Sequence, residues 1–177
     1  MVRTRAALRS AFNALILSRG YEAISAADVA RKADVGRSTF YEHYQSKDDL
    51  LAQSLLTVLQ PLASGCLADA PDQRIAAVIE HFWDNRQLAR ALMSGRPRSV
   101  MTKQLAGLIE RHLSEELYGP RSGILVIPLP LLAIQLAHGQ LALIEEWLSG
   151  RHRCSSMQMA EALRLTTSAA AQARFRS

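Results

Sequence analysis

The stretch Asp34-Val35-Gly36-Arg37-Ser38-Thr39-Phe40-Tyr41-Glu42-His43-Tyr44-Gln45-Ser46-Lys47 reads as one short helix, a tight break and the first turn of another helix. Phe40 and Tyr44 lie four residues apart, so they share a helix face that can point into a core. Arg37, Ser38, Thr39, Tyr41, Glu42 and His43 are left for the other faces. A short helix that buries two rings and turns basic, hydroxyl and aromatic groups outward suits a nucleic-acid groove. The stretch is therefore expected to be the recognition helix of a helix-turn-helix, with the remainder of the chain positioning and controlling it.

Charge points the same way. Residues 1–47 hold eight Lys/Arg against four Asp/Glu, whereas residues 48–177 hold thirteen against twelve. A basic front segment before a near-neutral body suggests an anionic partner at the N-terminal end. At 177 residues the chain is one large domain or two small ones and can bury a core. Leu and Ala dominate a composition that is 49% hydrophobic and only 6% aromatic, which favours helix. Cys66 and Cys154 lie far apart, with no second Cys beside either, so neither a disulfide framework nor a zinc site is expected. Reduced, buried thiols in a cytoplasmic protein fit them. Arg3 and Arg5 follow Met1-Val2 with no apolar run, so no signal peptide is read. The most apolar segment, 123–144, is broken by Pro128, Pro130, Gln135, His138 and Gln140, which speaks against a membrane span.

Working outward, the fold is read as all-α with about nine helices. Leu8, Ala11, Phe12, Leu15 and Ile16 give helical spacing from Thr4 to Arg19, with Gly20 as the stop. Ser25 and Asp28 form a capping-box pattern for a second helix, and Gly36 is a weak N-cap for the third. Ser46 and Asp49 repeat the pattern before a long helix from Lys47, in which Pro61 either kinks or ends the run. Gly65 to Pro71 reads as a loop, Asp72 as the start of the next helix, and Asn85 to Met93 as a separate short one. Gly95-Arg96-Pro97-Arg98 reads as a break before a helix from Val100 to Tyr118, and 119–123 as a loop. Leu129 to Leu148 is apolar nearly all round and should be buried on several faces. A last helix is expected from Ser156 to about Arg174. The domains expected are a helix-turn-helix domain over 1–47 and a helical effector-binding and dimerisation domain over 48–177.

In a helix-turn-helix the N-terminal residues of the second helix meet base edges, which here are Arg37, Ser38 and Thr39. Arg37 can pair bidentately with a guanine. Glu42 either accepts from a cytosine amine or faces solvent. Lys47 sits at a helix N-terminus, which favours an anion. Arg3 and Arg5 are expected to reach the DNA backbone or minor groove as a flexible arm.

The run Thr39 to Leu51, with Ser25, Val29-Ala30, Ala33 and Val35 upstream, resembles the signature of TetR-family transcriptional regulators. The resemblance is specific over about Ala7 to Leu51; beyond it, Leu141 to Leu148 looks like the penultimate helix of many members. Two positions depart from it: Asp34 stands where the family usually has Gly, and Gly36 where it usually has Ser. The resemblance implies that Tyr41, His43 and Lys47 hold the phosphate backbone, with Ser25 touching phosphate from the start of the second helix. It implies a homodimer on a near-palindromic double-stranded operator, with Leu136, Leu141, Ile144, Leu163 and Ala170 as interface candidates. It also implies a pocket for a small lipophilic or amphipathic effector that releases a repressor, with Phe82, Trp83, Leu105, His112, His138 and Trp147 as candidate lining. No cofactor and no metal are expected.

The competing classes are a small helical enzyme and a scaffold with this fold that does not bind DNA. The five histidines have no metal-ligand spacing with a partner carboxylate, and no nucleophile-elbow, phosphate-loop or dinucleotide motif is present. The basic front segment with Tyr41, His43 and Lys47 argues against the scaffold.

Overall fold

The computed structural model describes residues 2–67, 72–117 and 126–173, which form nine helices. In chain order they are α1 (Val2–Arg19), α2 (Ala26–Lys32), α3 (Arg37–His43), α4 (Lys47–Ser64), α5 (Asp72–Asp84), α6 (Arg86–Leu92), α7 (Gly95–Leu117), α8 (Leu129–Leu148) and α9 (Ser156–Gln172). Residues 118–125, which include the Gly119–Gly123 loop, Pro71 and Arg174 lie outside the described residues.

The helix boundaries follow local chemistry. Gly20 stops α1 with φ +74, and its amide donates to the Ile16 carbonyl at 2.9 Å. Ser46 caps α4 by accepting from the Asp49 amide at 3.1 Å. Pro61 lies inside α4 one turn from its end, so it does not terminate the helix. The predicted break at Gly95-Arg96-Pro97-Arg98 is instead the first turn of α7. Proline is tolerated there because an N–H in the first turn has no helical acceptor to lose.

Two compact units result, one of residues 1–55 and 85–100, the other of 56–84 and 101–177. In the first, α2 packs on α1 and α3, and α6 packs on α1. Its interior holds Leu8, Phe12, Ile16, Tyr21, Val29, Phe40, Tyr44, Leu50 and Leu92, all buried. In the second, α5 packs along α9, and α8 packs on both. There Leu59, Ile75, Ile79, Leu105, Ile109, Leu113, Leu141 and Ile144 are buried.

One polar side chain sits in that second core. Buried Gln140 donates from Nε2 to the Leu62 carbonyl and to Thr167 Oγ1, each at 3.1 Å. It thereby joins α4, α8 and α9 through one amide. Gln140→Ala deletes both bonds; the Leu62 carbonyl keeps the Gly65 amide at 3.2 Å, whereas buried Thr167 Oγ1 loses this donor. The expected loss is about 1–3 kcal/mol, seen as a Tm lower by roughly 2–10 °C in a thermal melt.

Candidate functional site

The start of α2 is tightly closed. Ser25 Oγ accepts from the Asp28 amide at 3.2 Å and donates to Asp28 Oδ2 at 2.6 Å, while the Ser25 amide donates to the same oxygen at 2.9 Å. Arg19 and Arg31 both pair with Asp28 Oδ1. The Ser25 hydroxyl and amide, then Arg19, pull the Asp28 pKa down to about 2. Both donors of Ser25, the expected phosphate contact on α2, are engaged by the Asp28 carboxylate in this structure.

The turn from α2 to α3 is a Schellman motif. The Val35 amide donates to the Ala30 carbonyl at 3.0 Å and the Asp34 amide to the Arg31 carbonyl at 3.3 Å. Asp34 takes φ +54, the left-handed position that glycine favours. Gly36 then starts α3 without a side-chain cap bond.

Phe40 on α3 and Tyr44 at its C-cap are buried with ring centroids 5.9 Å apart. Tyr41 stands 48% exposed and meets Phe40 edge-on at 5.4 Å. The Arg37 guanidinium lies 5.7 Å from the Tyr41 ring centroid, so exposed Arg37 is braced by a cation–π contact one turn on. Ser38 and Glu42 are exposed, and Thr39 and His43 half-buried. Arg3 and Arg5 are exposed but lie in the first turns of α1. They are carried on a helix and not on the flexible arm expected.

Lys47 is placed differently from an open surface cation. Its Nζ donates to the Tyr21 and Ile24 carbonyls at 2.9 and 3.0 Å and lies 4.4 Å from the Tyr21 ring centroid. The Tyr21 hydroxyl donates to Asp48, which also accepts from Arg96 Nε at 2.7 Å and pairs with Arg96 Nη2 at 2.5 Å. Burial and then Asp48 push the Tyr21 pKa up; the Arg96 bond chiefly pulls the Asp48 pKa down. The Asp48–Arg96 pair spans 48 residues, and no local pattern signals it.

Other expected site residues are redistributed. Leu136, Leu141, Ile144 and Leu163 are buried within the protomer, and Ala170 is half-buried. The apolar side chains that α8 and α9 leave exposed are Leu131, Ile134, Leu143, Met157 and Leu165. Of the six pocket candidates, Trp83 and Trp147 line one cleft. Phe82 and Leu105 are core, His112 is half-buried, His138 is exposed, and none of these four lines it. Among the described residues no three His, Cys, Asp or Glu side chains gather as metal ligands, and no helix is long and apolar enough to cross a membrane.

Residues 8–53 match the family model described as Bacterial regulatory proteins, tetR family. A 52-residue segment, 29% of the chain, is 44% identical to the uncharacterized HTH-type transcriptional regulator YxbF of Bacillus subtilis (strain 168). That match spans 14% of the relative's length. A TetR transcriptional regulator from Streptococcus agalactiae 2603V superposes with a TM-score of 0.58 at 24% identity, over 93% of each chain. The fatty acid degradation regulator FadR from Bacillus halodurans superposes with a TM-score of 0.56 at 12% identity, over 92% of this chain and 96% of that one. At such identities the likeness establishes the all-helical fold.

The left-handed Asp34 gives a direct test of the turn. Asp34→Gly is expected to stabilise by about 1 kcal/mol, because only glycine adopts this φ without a side-chain clash. Thermal melts should show Tm rising by about 2–4 °C.

Proposed function

We propose, from the match of residues 8–53 to the tetR family model, that the chain is a DNA-binding transcriptional repressor of that family and not an enzyme. In this reading a homodimer holds a near-palindromic operator until a small lipophilic or amphipathic effector releases it. The observation that carries the reading is the outward face of α3, where Tyr41 braces exposed Arg37 on a helix whose other face is buried. Arg37 reads a guanine edge, with Ser38, Thr39 and Glu42 toward neighbouring bases. Tyr41 and His43 hold phosphates, and Arg3 and Arg5 meet the backbone from α1. Lys47 has three donors, two of them engaged, and directs the third at a phosphate.

Dimerisation is supported by the apolar side chains that α8 and α9 turn outward. Leu143 and Thr166 border a groove of about 220 Å³ that runs past Gly139, where a Cβ would meet nothing within 4 Å. A bare glycine and an open groove let a second copy's helix approach closely. Two recognition helices would then sit about one DNA turn apart, ~34–36 Å. An effector that binds only the conformer with a different spacing shifts the population and frees the DNA.

Gel shifts on the DNA upstream of the gene, at two salt concentrations, test the reading. Arg37→Ala should relax preference at one base position by about 1–3 kcal/mol. Lys47→Ala should weaken all sequences alike and reduce the salt slope by about 1. If both variants match the parent, the assignment of α3 and Lys47 to DNA contact is wrong. Separately, Leu131→Arg combined with Leu143→Arg should halve the mass in sedimentation and abolish tight operator binding. A variant that stays dimeric refutes this interface.

A further inference from the structure

In the second unit, the last turn of α5, the end of α8 and the first turn of α9 enclose an open cleft of about 420 Å³. Its apolar wall is Trp83 and Trp147, with ring centroids 4.9 Å apart and planes tilted by 46°. Trp147 is buried, and its indole N–H donates to the Cys154 carbonyl at 2.9 Å, which fixes the ring. Trp83 remains 38% exposed, a large aromatic surface turned to the opening. Glu80 and Asp84, one helical turn apart on α5, bring two carboxylates to the same cleft. Ser156 Oγ donates to Glu80 at 2.9 Å, which orients that carboxylate without neutralising it.

The backbone adds to the same sign. α8 ends at Leu148, so its carboxyl end, carrying partial negative charge, lies at the cleft, whereas the carboxyl end of α5 at Asp84 runs into the amino end of α6 at Arg86, which offsets it. The amino end of α9 is also present, but Ser155 and Gln158 cap each other's amides at 2.9 and 3.2 Å. Among the basic lining groups, His152 lies 3.1 Å from Glu146, which also holds Arg151. Arg153 is exposed and also lines the cleft, one cation set against the two carboxylates of Glu80 and Asp84.

We propose that this cleft binds an organic cation carrying aryl or alkyl bulk. The indole faces attract the cationic centre, Glu80 and Asp84 balance its charge, and the apolar substituents cover Trp83. The volume is that of a small-molecule site. An anionic amphiphile of equal size meets two carboxylates and the carboxyl end of α8 in the same space. The proposal deepens the effector reading above and rests on it only for the regulatory consequence. Binding itself uses residues of the second unit.

The chain has two tryptophans and both line the cleft, so intrinsic fluorescence reports on this site. Tetraphenylphosphonium and tetraphenylborate, which share a shape and differ in sign, are titrated into the full-length protein in sodium buffer. The cation should give a saturable change with a Kd at least about tenfold below that of the borate. Glu80→Gln combined with Asp84→Asn should weaken the cation about tenfold and erase the preference for sign. Both substitutions keep side-chain size, and circular dichroism checks the fold. Equal or tighter binding of the borate, no saturable change, or a cation Kd unmoved by the double substitution overturns the proposal. A protein that holds its operator yet ignores the cation sinks this proposal alone. One that binds the cation but no DNA sinks the regulator reading alone.

Discussion

Seven residues make too few backbone hydrogen bonds to hold a helix in water. α3 has only seven, and Gly36 adds no side-chain cap. What holds it is the burial of Phe40 and Tyr44, each contributing about 1.5–3 kcal/mol. The geometry of that burial decides everything outward. With positions 40 and 44 inside, positions 37, 38, 41 and 42 are the exposed ones. The i, i+4 relation then places the Arg37 guanidinium against the Tyr41 ring. The face that would meet DNA is therefore fixed by the residues that face away from it.

The start of α4 is held by a second device of different chemistry. Tyr21 serves it three times, with its carbonyl and ring toward Lys47 and its hydroxyl toward Asp48. Burial and the neighbouring carboxylate keep the hydroxyl protonated, so it remains a donor across the physiological range. The folded pKa of Asp48 is depressed, chiefly by Arg96. Its contribution to stability is thus present above the ordinary carboxylate pKa and is lost as pH falls through the lower folded value. Near neutrality the cluster is intact, and α4 leaves it in a set direction.

Helical periodicity and caps were readable from the chain, because both are local. Ser25 with Asp28, Ser46 before α4, and the uninterrupted α8 all stand where spacing puts them. Gly95 to Arg98 misled because glycine and proline usually mark a break, whereas the first helical turn is the place that tolerates them. The interface candidates pose a different problem. α8 is apolar nearly all round, and sequence alone cannot tell which stripe faces the protomer's own α5 and α9. Leu141 and Ile144 are buried in the protomer, whereas Leu131 and Leu143 are exposed. Gln140 reaching Leu62 and Arg96 reaching Asp48 span 78 and 48 residues, far beyond any local pattern.

Charge shows how far composition can mislead about mechanism. The excess of basic residues in 1–47 overstates the cations ready for a phosphate. Arg19 and Arg31 share Asp28, and two of the three Lys47 donors point inward. The Arg31 pair is largely solvated and worth little, so a phosphate could displace it. Lys47 is different: moving its ammonium would break two hydrogen bonds and a cation–π contact at once, so it would meet a phosphate where it stands, through its third donor. The salt dependence of DNA binding counts only cations that actually displace counterions. A slope smaller than the basic count would then reflect internal pairing, and it would not imply a smaller footprint on the duplex.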